Sequence, residues 1–296
     1  MSGGRHSKAR LYFLLSLMLL FWSLNFTIGK VALREFPAML LVGIRTSIAA
    51  ACMLPIYFWQ HRGKPESWRN TTDLWWLLVL GILGVVLNQL FYVLGLSLTS
   101  VVHAAIITTL TPVLVLIFAA LLKQENLTVL KALGMTIAAS GVIAIQLSKS
   151  EASGATLLGD GFAFLSVLGF AIFTVKGKQF TQRHTGLTAM TIAYVGGAVA
   201  LAPMTIRMCS RFDLAKVSAA AWLSLIYMAV FAAVLAYLIY YYALTYLPAS
   251  RVSAVSYLQP VVATLFAVGF LGERISTVLI IGGILVLTGV VITERA

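Results

Sequence analysis

Residues 112–125 read PVLVLIFAALLKQE, and residues 260–273, which lie 148 positions further on, read PVVATLFAVGFLGE. The two stretches share their first proline, an internal Phe-Ala pair and their last glutamate without any gap. Apolar segments often match by chance in leucine, valine and alanine, but such matches seldom align proline and glutamate as well. The repeated stretch therefore indicates that the chain consists of two related halves.

Further pairs align at the same offset of 148 and include glycine, lysine, proline and tyrosine: Gly29-Lys30 with Gly177-Lys178, Pro55 with Pro203, Tyr92 with Tyr240, Gly134 with Gly282, and Gly141 with Gly289. Two residues that are 148 positions apart are called repeat partners below. The pairs extend over most of the chain, so we predict a first repeat at residues 1–148 and a second repeat at residues 149–296.

The composition excludes a soluble protein. Hydrophobic residues make up 60% of the 296 residues, charged residues make up 10%, and the mean hydropathy is +0.97. Soluble domains are about 45–50% apolar and about 25% charged. The net charge of +12 would suggest nucleic acid in a soluble protein, but cationic loops beside anionic lipid headgroups explain it here. We therefore expect a polytopic membrane protein with the lipid bilayer as its surroundings and no nucleic-acid partner.

Apolar stretches of about 20 residues, the length that spans a bilayer as a helix, recur along the chain. The ten predicted spans are 11–33, 38–59, 74–98, 101–122, 127–147, 157–180, 187–206, 221–244, 249–270 and 275–293. The runs are continuously apolar and too long for barrel strands, which predicts an all-α protein.

Charge in the loops predicts the orientation. With the N-terminus in the cytoplasm, the inside loops and adjoining span ends hold 13 Lys and Arg residues and the outside loops and adjoining span ends hold 7, as the positive-inside rule favours. An even number of spans then places both termini in the cytoplasm, in the cell membrane. Each half has five spans, an odd number, so the second repeat enters the membrane from the opposite side. The sequence thus predicts two inverted five-helix repeats.

Inverted repeats are common in secondary transporters, which bind their substrate near the midplane between the halves and work by alternating access. The sequence has no GxxxxGK[ST] phosphate loop, HExxH or GxSxG motif, and its two cysteines and four histidines are scattered. We therefore expect a transporter rather than an enzyme, with no catalytic residues, cofactor or metal. A membrane receptor or scaffold is the alternative of another class. The oligomeric state, including a possible homodimer, stays open.

Several motifs recur at the same places in both halves or lie inside single spans: Trp22-Ser23 and Gly29-Lys30 in span 1, Arg45 in span 2, Pro112 with Glu125 at span 4, and Pro260 with Glu273 at span 9. In these features the chain resembles the drug/metabolite transporter superfamily, in particular its ten-helix EamA family. The resemblance implies two inverted repeats around a central cavity and the export of amino acids or small metabolites.

All nine acidic residues fall in loops or at the ends of spans. An organic cation would meet no anionic partner in the cavity, which is costly at low dielectric constant. We therefore expect small neutral or zwitterionic substrates, with amino acids as the leading class. A nucleotide-sugar or phosphorylated-metabolite exchanger of the same fold is the alternative, and it would require several basic residues at the cavity.

Polar and aromatic side chains inside the spans are the candidate substrate-binding residues: Trp22, Asn25, Phe26, Asn88, Gln89, Thr108, Phe170, Phe173, Tyr237, Ser256 and Tyr257. Amides facing lipid are expensive, so we expect them to face the protein interior. The alternative for each is a purely structural role, either ring packing or an interhelical hydrogen bond.

Pro112 and Pro260 follow matched polar stripes and are candidate hinges, because proline removes a helical hydrogen bond. The alternative is a static kink. Arg45 lies about 12 Å into its helix at 1.5 Å per residue. It could reach the interface, or it could bind backbone carbonyls or a substrate carboxylate, and we favour a gating or structural role. Lys30 and Lys178 lie at span ends, where we expect their amines to reach the interface.

Overall fold

The computed structural model of the chain describes residues 3–62, 75–76, 78–79, 81–99, 101–147, 156–181, 184–259, 261–262 and 277–296. The helices in these residues are α1 (Gly3–Leu33), α2 (Ala38–Gln60), α3 (Ile82–Leu87 with Asn88–Leu98), α4 (Val101–Thr108 with Leu110–Leu121), α5 (Val129–Leu147), α6 (Leu157–Thr181), α7 (Gly186–Cys209), α8 (Ala219–Tyr227, Met228–Leu235 and Ala236–Tyr246), α9 (Ala249–Ala254 with Val255–Leu258) and α10 (Thr277–Arg295). A 3₁₀ turn, Leu214–Lys216, precedes α8. Each predicted span overlaps one of these helices, and the described residues contain no strand. The second half of span 9 lies outside the described residues.

Many of the helices have the length and apolarity that a bilayer requires. Six described segments meet both conditions: Ala9–Leu33, Ala38–Gln60, His103–Leu121, Leu157–Gln179, Gly186–Cys209 and Ala219–Tyr246. Local signals set several of the helix starts. The hydroxyl oxygen of Thr185 accepts the N–H of Thr188 at 3.2 Å and begins α7. Ser218 caps α8 in the same way, accepting the N–H of Ala221 at 3.2 Å.

Helices α5 and α10, which are repeat partners, pack through their glycines. A Cβ atom on Gly141 would lie 2.6 Å from the carbonyl oxygen of Gly282, and one on Gly134 would lie 2.8 Å from that of Gly289. The N-terminal half of α5 therefore faces the C-terminal half of α10 and the reverse, so the two helices run antiparallel. Small residues permit this close backbone approach.

The second pair of partner helices, α2 and α7, is also antiparallel. Gly43 faces Thr205, and Thr46 faces Gly197, so the numbering again runs in opposite directions along the two helices. The remaining helices pack across the halves, with α1 against α8, α3 against α6, and α4 against both α6 and α9. Residues of both repeats therefore contribute to each of the buried apolar clusters.

Two lysines that are repeat partners make equivalent hydrogen bonds. The amine of Lys30 donates to the carbonyl of Thr99 at 2.8 Å, at the end of α3. The amine of Lys178 donates to the carbonyl of Leu247 at 3.0 Å, at the end of α8. Thr99 and Leu247 are themselves repeat partners. Each amine thus satisfies a terminal carbonyl of a neighbouring helix. That these amines reach toward the interface stays a prediction.

Helical irregularities also recur in both halves. Residues Ile82–Leu87 of α3 and Met228–Leu235 of α8 form π-helical turns, and the repeat partners of the first segment lie within the second. Helix α4 is interrupted at Thr109, in the turn before Pro112. Proline has no N–H, so the carbonyl of Thr108, four residues earlier, lacks its usual helical partner. Helix α9 narrows to the 3₁₀ turn Val255–Leu258 at the corresponding place. The candidate hinge Pro260 lies outside the described residues.

Candidate functional site

A cavity of about 100 Å³ lies among α1, α2, α3, α4, α6, α8 and α9. Its lining residues come from both repeats: Trp22, Asn25, Phe26, Arg45, Asn88, Gln89, Tyr92, Thr108, Thr111, Ser166, Val167, Phe170, Tyr237, Ser256 and Gln259. The cavity is small compared with pockets for drug-sized ligands, which are about 300–1,000 Å³. In the conformation described, this space suits a small solute.

The structure brings most of the predicted substrate-binding residues together in this cavity. They are Trp22, Asn25, Phe26, Asn88, Gln89, Thr108, Phe170, Tyr237 and Ser256, and the predicted gating residue Arg45 joins them. Their placement is a geometric finding, and their contact with a substrate stays a prediction.

Three other predicted residues lie away from the cavity lining. Phe173 packs against Tyr241 with ring centroids 5.3 Å apart. Tyr257 is 1% exposed and belongs to the apolar cluster where α9 meets α4, α5 and α10. Pro112 is buried within α4 beside the interruption at Thr109.

Five lining residues were not among the predicted site residues: Tyr92, Thr111, Ser166, Val167 and Gln259. The sequence did contain a signal for two of them. Thr111 and Gln259 are repeat partners, and each is a polar residue directly before its matched proline. Val167 carried no such signal, because one apolar residue in an apolar span resembles all the others.

Aromatic rings from both repeats meet in the cavity wall. Trp22 and Phe170 are repeat partners, and their ring centroids lie 5.8 Å apart in an edge-to-face arrangement. Tyr237 completes the cluster at 5.6 Å from Trp22 and 6.0 Å from Phe170. The indole N–H of Trp22 donates to the carbonyl of Ala232, in the π-helical turn of α8, at 3.1 Å. These rings therefore pack on one another and line the cavity at once.

A hydrogen-bond chain of amides and a tyrosine hydroxyl forms the adjoining wall. The Gln89 amide donates to the hydroxyl of Tyr237 at 3.1 Å, and that hydroxyl donates to Oδ1 of Asn88 at 3.1 Å. The Asn88 amide in turn donates to the carbonyl of Ser166 at 2.8 Å. Gln89 and Tyr237 are repeat partners. The two halves thus touch through equivalent positions that carry different side chains.

Arg45 is 3% exposed and does not reach the interface. Its Nε donates to the carbonyl of Met228 at 3.0 Å, where the π-helical turn of α8 begins. Its Nη1 has no hydrogen-bond partner among the described residues. Asn25 donates from Nδ2 to the hydroxyl of Tyr92 at 3.0 Å, and its Oδ1 also lacks a partner there. The cavity wall therefore contains one unpaired donor and one unpaired acceptor.

Acidic residues among those described lie at helix ends or in loops, away from the cavity lining. Asp160, in the first turn of α6, accepts the hydroxyl of Thr99 at 2.5 Å and faces Nδ1 of His103 at 3.0 Å. Glu35 accepts the N–H of Ser218 at 2.7 Å, at the start of α8. No described group of His, Cys, Asp and Glu has the arrangement of a metal site.

Glu125, in the loop between α4 and α5, joins the start of α9 to the first repeat. It accepts the N–H of Ser250 at 3.2 Å and the hydroxyl of the same residue, and it pairs with Lys131 at 3.1 Å. Burial by itself raises the pKa of Glu125, but the hydrogen bonds from Ser250 and the bond and charge of Lys131 lower it overall. For Glu35, hydrogen bonds from the hydroxyl and the N–H of Ser218 lower the pKa.

Comparison with known proteins places this architecture in a family. The profile of the "EamA-like transporter family" matches the chain twice, at residues 9–147 and 157–295. An "Uncharacterized transporter" of Archaeoglobus fulgidus is 31% identical over 287 residues, which cover 96% of this chain and 98% of the relative. The transporter YyaM of Bacillus subtilis, also named as uncharacterized, is 30% identical and covers 95% and 92%.

Two further comparisons concern function and fold. A "Probable terminal-alkyne amino-acid exporter" of Streptantibioticus cattleyicolor is 28% identical over 192 residues, which cover 65% of this chain and 63% of that protein. A solved crystal structure superposes with a TM-score of 0.77 at 18% sequence identity and covers 97% of both chains. At that identity the superposition establishes a shared fold alone.

Proposed function

The chain belongs to the EamA-like transporter family of integral membrane proteins, and on that premise we propose that it exports small neutral or zwitterionic metabolites as a secondary transporter. Amino acids are the leading substrate class. The protein acts by transport and not by catalysis. Its first repeat comprises residues 1–148 and its second repeat residues 149–296, and both termini lie in the cytoplasm.

Alternating access through inverted repeats is the mechanism we propose. The antiparallel packing of partner helices supports it: α5 opposes α10 through Gly141 and Gly282, and α2 opposes α7 through Gly43 and Thr205. Partner helices in inverted repeats must point in opposite directions across the membrane, whereas those in parallel repeats point the same way. The interruption of α4 before Pro112 supports a hinge there, with Pro260 as its counterpart.

The observation that carries the proposal is the composition of the cavity. It lies where both repeats meet, as its repeat partners Trp22 and Phe170 demonstrate by direct ring contact. A site at that junction can be exposed to either side by a movement of one half against the other. Its described lining combines aromatic faces with amides and has no acidic side chain, which fits a neutral or zwitterionic solute.

One relative adds support for amino acids, since it is named as a probable amino-acid exporter. The alternative, a nucleotide-sugar or phosphorylated-metabolite exchanger, has less support. It requires several basic groups around the substrate, and Arg45 is the single charged residue among the described lining residues.

Counterflow in proteoliposomes tests the proposal. The full chain is reconstituted into vesicles preloaded with one unlabelled amino acid at a time, and uptake of the same labelled amino acid is measured. We expect saturable counterflow for at least one amino acid. The variant Trp22→Leu removes a cavity wall and should abolish it, whereas Trp59→Leu, at a side chain that is 71% exposed, should retain it. Equal activity in vesicles without protein, or equal loss in both variants, contradicts the proposal.

A further inference from the structure

Arg45 is an unbalanced charge in the cavity wall. It is the single charged side chain among the described lining residues and is 3% exposed. Its repeat partner is Ala193, so no second charge faces it from the equivalent position. The neighbouring contact at Met228 is a neutral carbonyl, bound by Nε at 3.0 Å. The guanidinium is therefore buried without a counter-ion in the part of the chain that the structure describes.

Such a charge is expensive unless something pairs with it. An isolated buried ion costs several kcal/mol, and the cost falls when an opposite charge and hydrogen bonds compensate it. Nη1 has no hydrogen-bond partner within the described parts of the chain. A structural arginine would have all its N–H groups satisfied by carbonyls or an acid, as buried polar groups usually are. The unpaired N–H is therefore available to a partner that enters the cavity.

A second unpaired atom defines the other end of that partner. Oδ1 of Asn25 is an acceptor without a donor among the described residues, while the amide nitrogen of the same residue donates to Tyr92 at 3.0 Å. Asn25 and Arg45 line the same cavity, as does Trp22. An unpaired cationic donor and an unpaired acceptor in one cavity complement a molecule with a carboxylate and an ammonium group.

We propose that the cavity binds the α-amino and α-carboxyl groups of a free amino acid, with the carboxylate on Arg45 and the ammonium on Oδ1 of Asn25. The assignment rests on the transport function proposed above and specifies how the substrate is recognised. Arg45 is then a substrate-binding residue rather than a gating one. The aromatic wall of Trp22, Phe170 and Tyr237 is left for the side chain of the amino acid.

A carboxylate fits this site better than a phosphate does. One guanidinium neutralises the single charge of a carboxylate, and its fork matches the two oxygens. A phosphate monoester carries about −1.5 to −2 at neutral pH, and the described lining offers no second cation. A phosphorylated solute would keep an uncompensated charge in the cavity.

Ligand-induced stabilisation tests the assignment without requiring transport. The thermal unfolding of the purified full chain is followed with alanine, leucine and phenylalanine, with their amides, and with inorganic phosphate. A ligand that binds only the folded protein raises the melting temperature with its concentration. We expect at least one amino acid to bind about 10- to 100-fold more tightly than its amide, as a hydrogen bond to a charged group provides.

Variants then locate the effect. Arg45→Gln should remove the preference for the acid over the amide, and Arg45→Lys, which keeps the charge and loses the fork, should retain part of it. Arg211→Gln, at an exposed residue of the loop after α7, is the matched control and should behave like the wild type. Equal binding of acid and amide, tighter binding of phosphate, no binding of any probe, or an unchanged preference in Arg45→Gln each overturn the assignment.

Counterflow measurements distinguish a failure of the proposed binding site from a failure of the proposed transport function. Amino-acid binding that depends on Arg45, without any counterflow of the same amino acid, overturns the transport function and leaves the binding site standing. Counterflow of an amino acid at the wild-type rate and affinity in Arg45→Gln overturns the role of Arg45 and leaves transport standing.

Discussion

The first and second repeats share the same backbone irregularities but have different side chains at the equivalent positions. Each has a π-helical turn at the same place, Ile82–Leu87 in α3 and Met228–Leu235 in α8. The residues that follow differ, since Asn88 and Gln89 occupy the positions that Ala236 and Tyr237 hold in the second repeat. A π-helical turn shifts the register of the side chains after it, and such turns are frequent at functional sites.

The cavity wall shows the difference most clearly. The first repeat supplies Asn25 and Arg45, whose repeat partners are Phe173 and Ala193. Neither partner lines the cavity. Backbone features that both repeats need for packing are thus present twice, while the groups that would bind a solute are present once. A solute with unlike ends requires unlike walls, which two identical repeats could not provide.

The glycine contact between α5 and α10 is shared by both repeats, and breaking it should have the largest effect on stability. In Gly141→Ala the new Cβ would lie 2.6 Å from the carbonyl oxygen of Gly282, so the helices must separate. We expect a loss of about 1–3 kcal/mol, as for overpacked sites, seen as a lower melting temperature in detergent. Gly283→Ala is the control, because a Cβ there meets nothing within 4 Å. Equal melting temperatures in the two variants would contradict the close packing.

The contact between the repeat partners Gln89 and Tyr237 comes next. Tyr237→Phe removes a hydroxyl that both Gln89 and Asn88 use, at 3.1 Å each. Leaving buried polar groups unsatisfied costs about 1–3 kcal/mol, and a water that enters the cavity would reduce this. We expect a lower melting temperature and slower counterflow. Tyr246→Phe, at a residue that is 59% exposed, should change neither. An unaltered melting temperature and counterflow rate in Tyr237→Phe would show that the Gln89–Tyr237 contact does not stabilise the protein.

Substitution of the two prolines tests whether both repeats contain a hinge, and it should affect stability less than the changes above. Pro112→Ala and Pro260→Ala each restore an N–H to the helix. We expect stability to change by less than about 1 kcal/mol, because the bilayer favours a complete hydrogen-bond ladder, while transport falls. Labelling of cysteines placed at Thr108 and Ser256 should shift in opposite directions in the two variants. Wild-type transport with unchanged labelling in both variants would show that the two prolines contribute to packing and are not hinges.

The pH dependence of stability should be the smallest of these effects, because no change is expected near neutral pH. It distinguishes two carboxylates of the first repeat. Glu125 and Glu35 each bind the start of a second-repeat helix, and each has a pKa below its ordinary value of 4.5. A lowered pKa gives stability that is present above the unfolded-state value and is lost as the pH falls through the folded-state value. The melting temperature should therefore be flat above about pH 5 and fall below about pH 4.5.

Variants assign this acid sensitivity. Glu125→Gln should weaken it most, because Glu125 is buried with Lys131. Glu35→Gln should change it little, since its partner Ser218 lies at the exposed surface, where solvent screens the interaction. A larger change in Glu35→Gln than in Glu125→Gln would reverse this ranking.

The sequence by itself was sufficient for the helical architecture and for most of the cavity. The ten spans follow from the length of apolar runs, and the match of Pro112–Glu125 with its counterpart indicated the two repeats. Trp22, Gln89 and Tyr237 were predictable as cavity residues because polar and aromatic groups inside apolar spans must avoid lipid. The sequence also indicated that the acidic residues lie away from the centre of the spans.

Tertiary structure alone decided which face each helix turns to its neighbours. In a membrane both the lipid-facing and the buried sides of a helix are apolar, so periodicity does not reveal the buried side. For this reason the sequence predicts Tyr257 as a substrate-binding residue like Tyr237, although Tyr257 packs in another apolar cluster. The sequence alone also allows Arg45 to reach the interface, whereas the structure places it in the cavity wall, where it contacts Met228. That contact joins residues 183 positions apart, and its existence depends on the packing of α2 against α8.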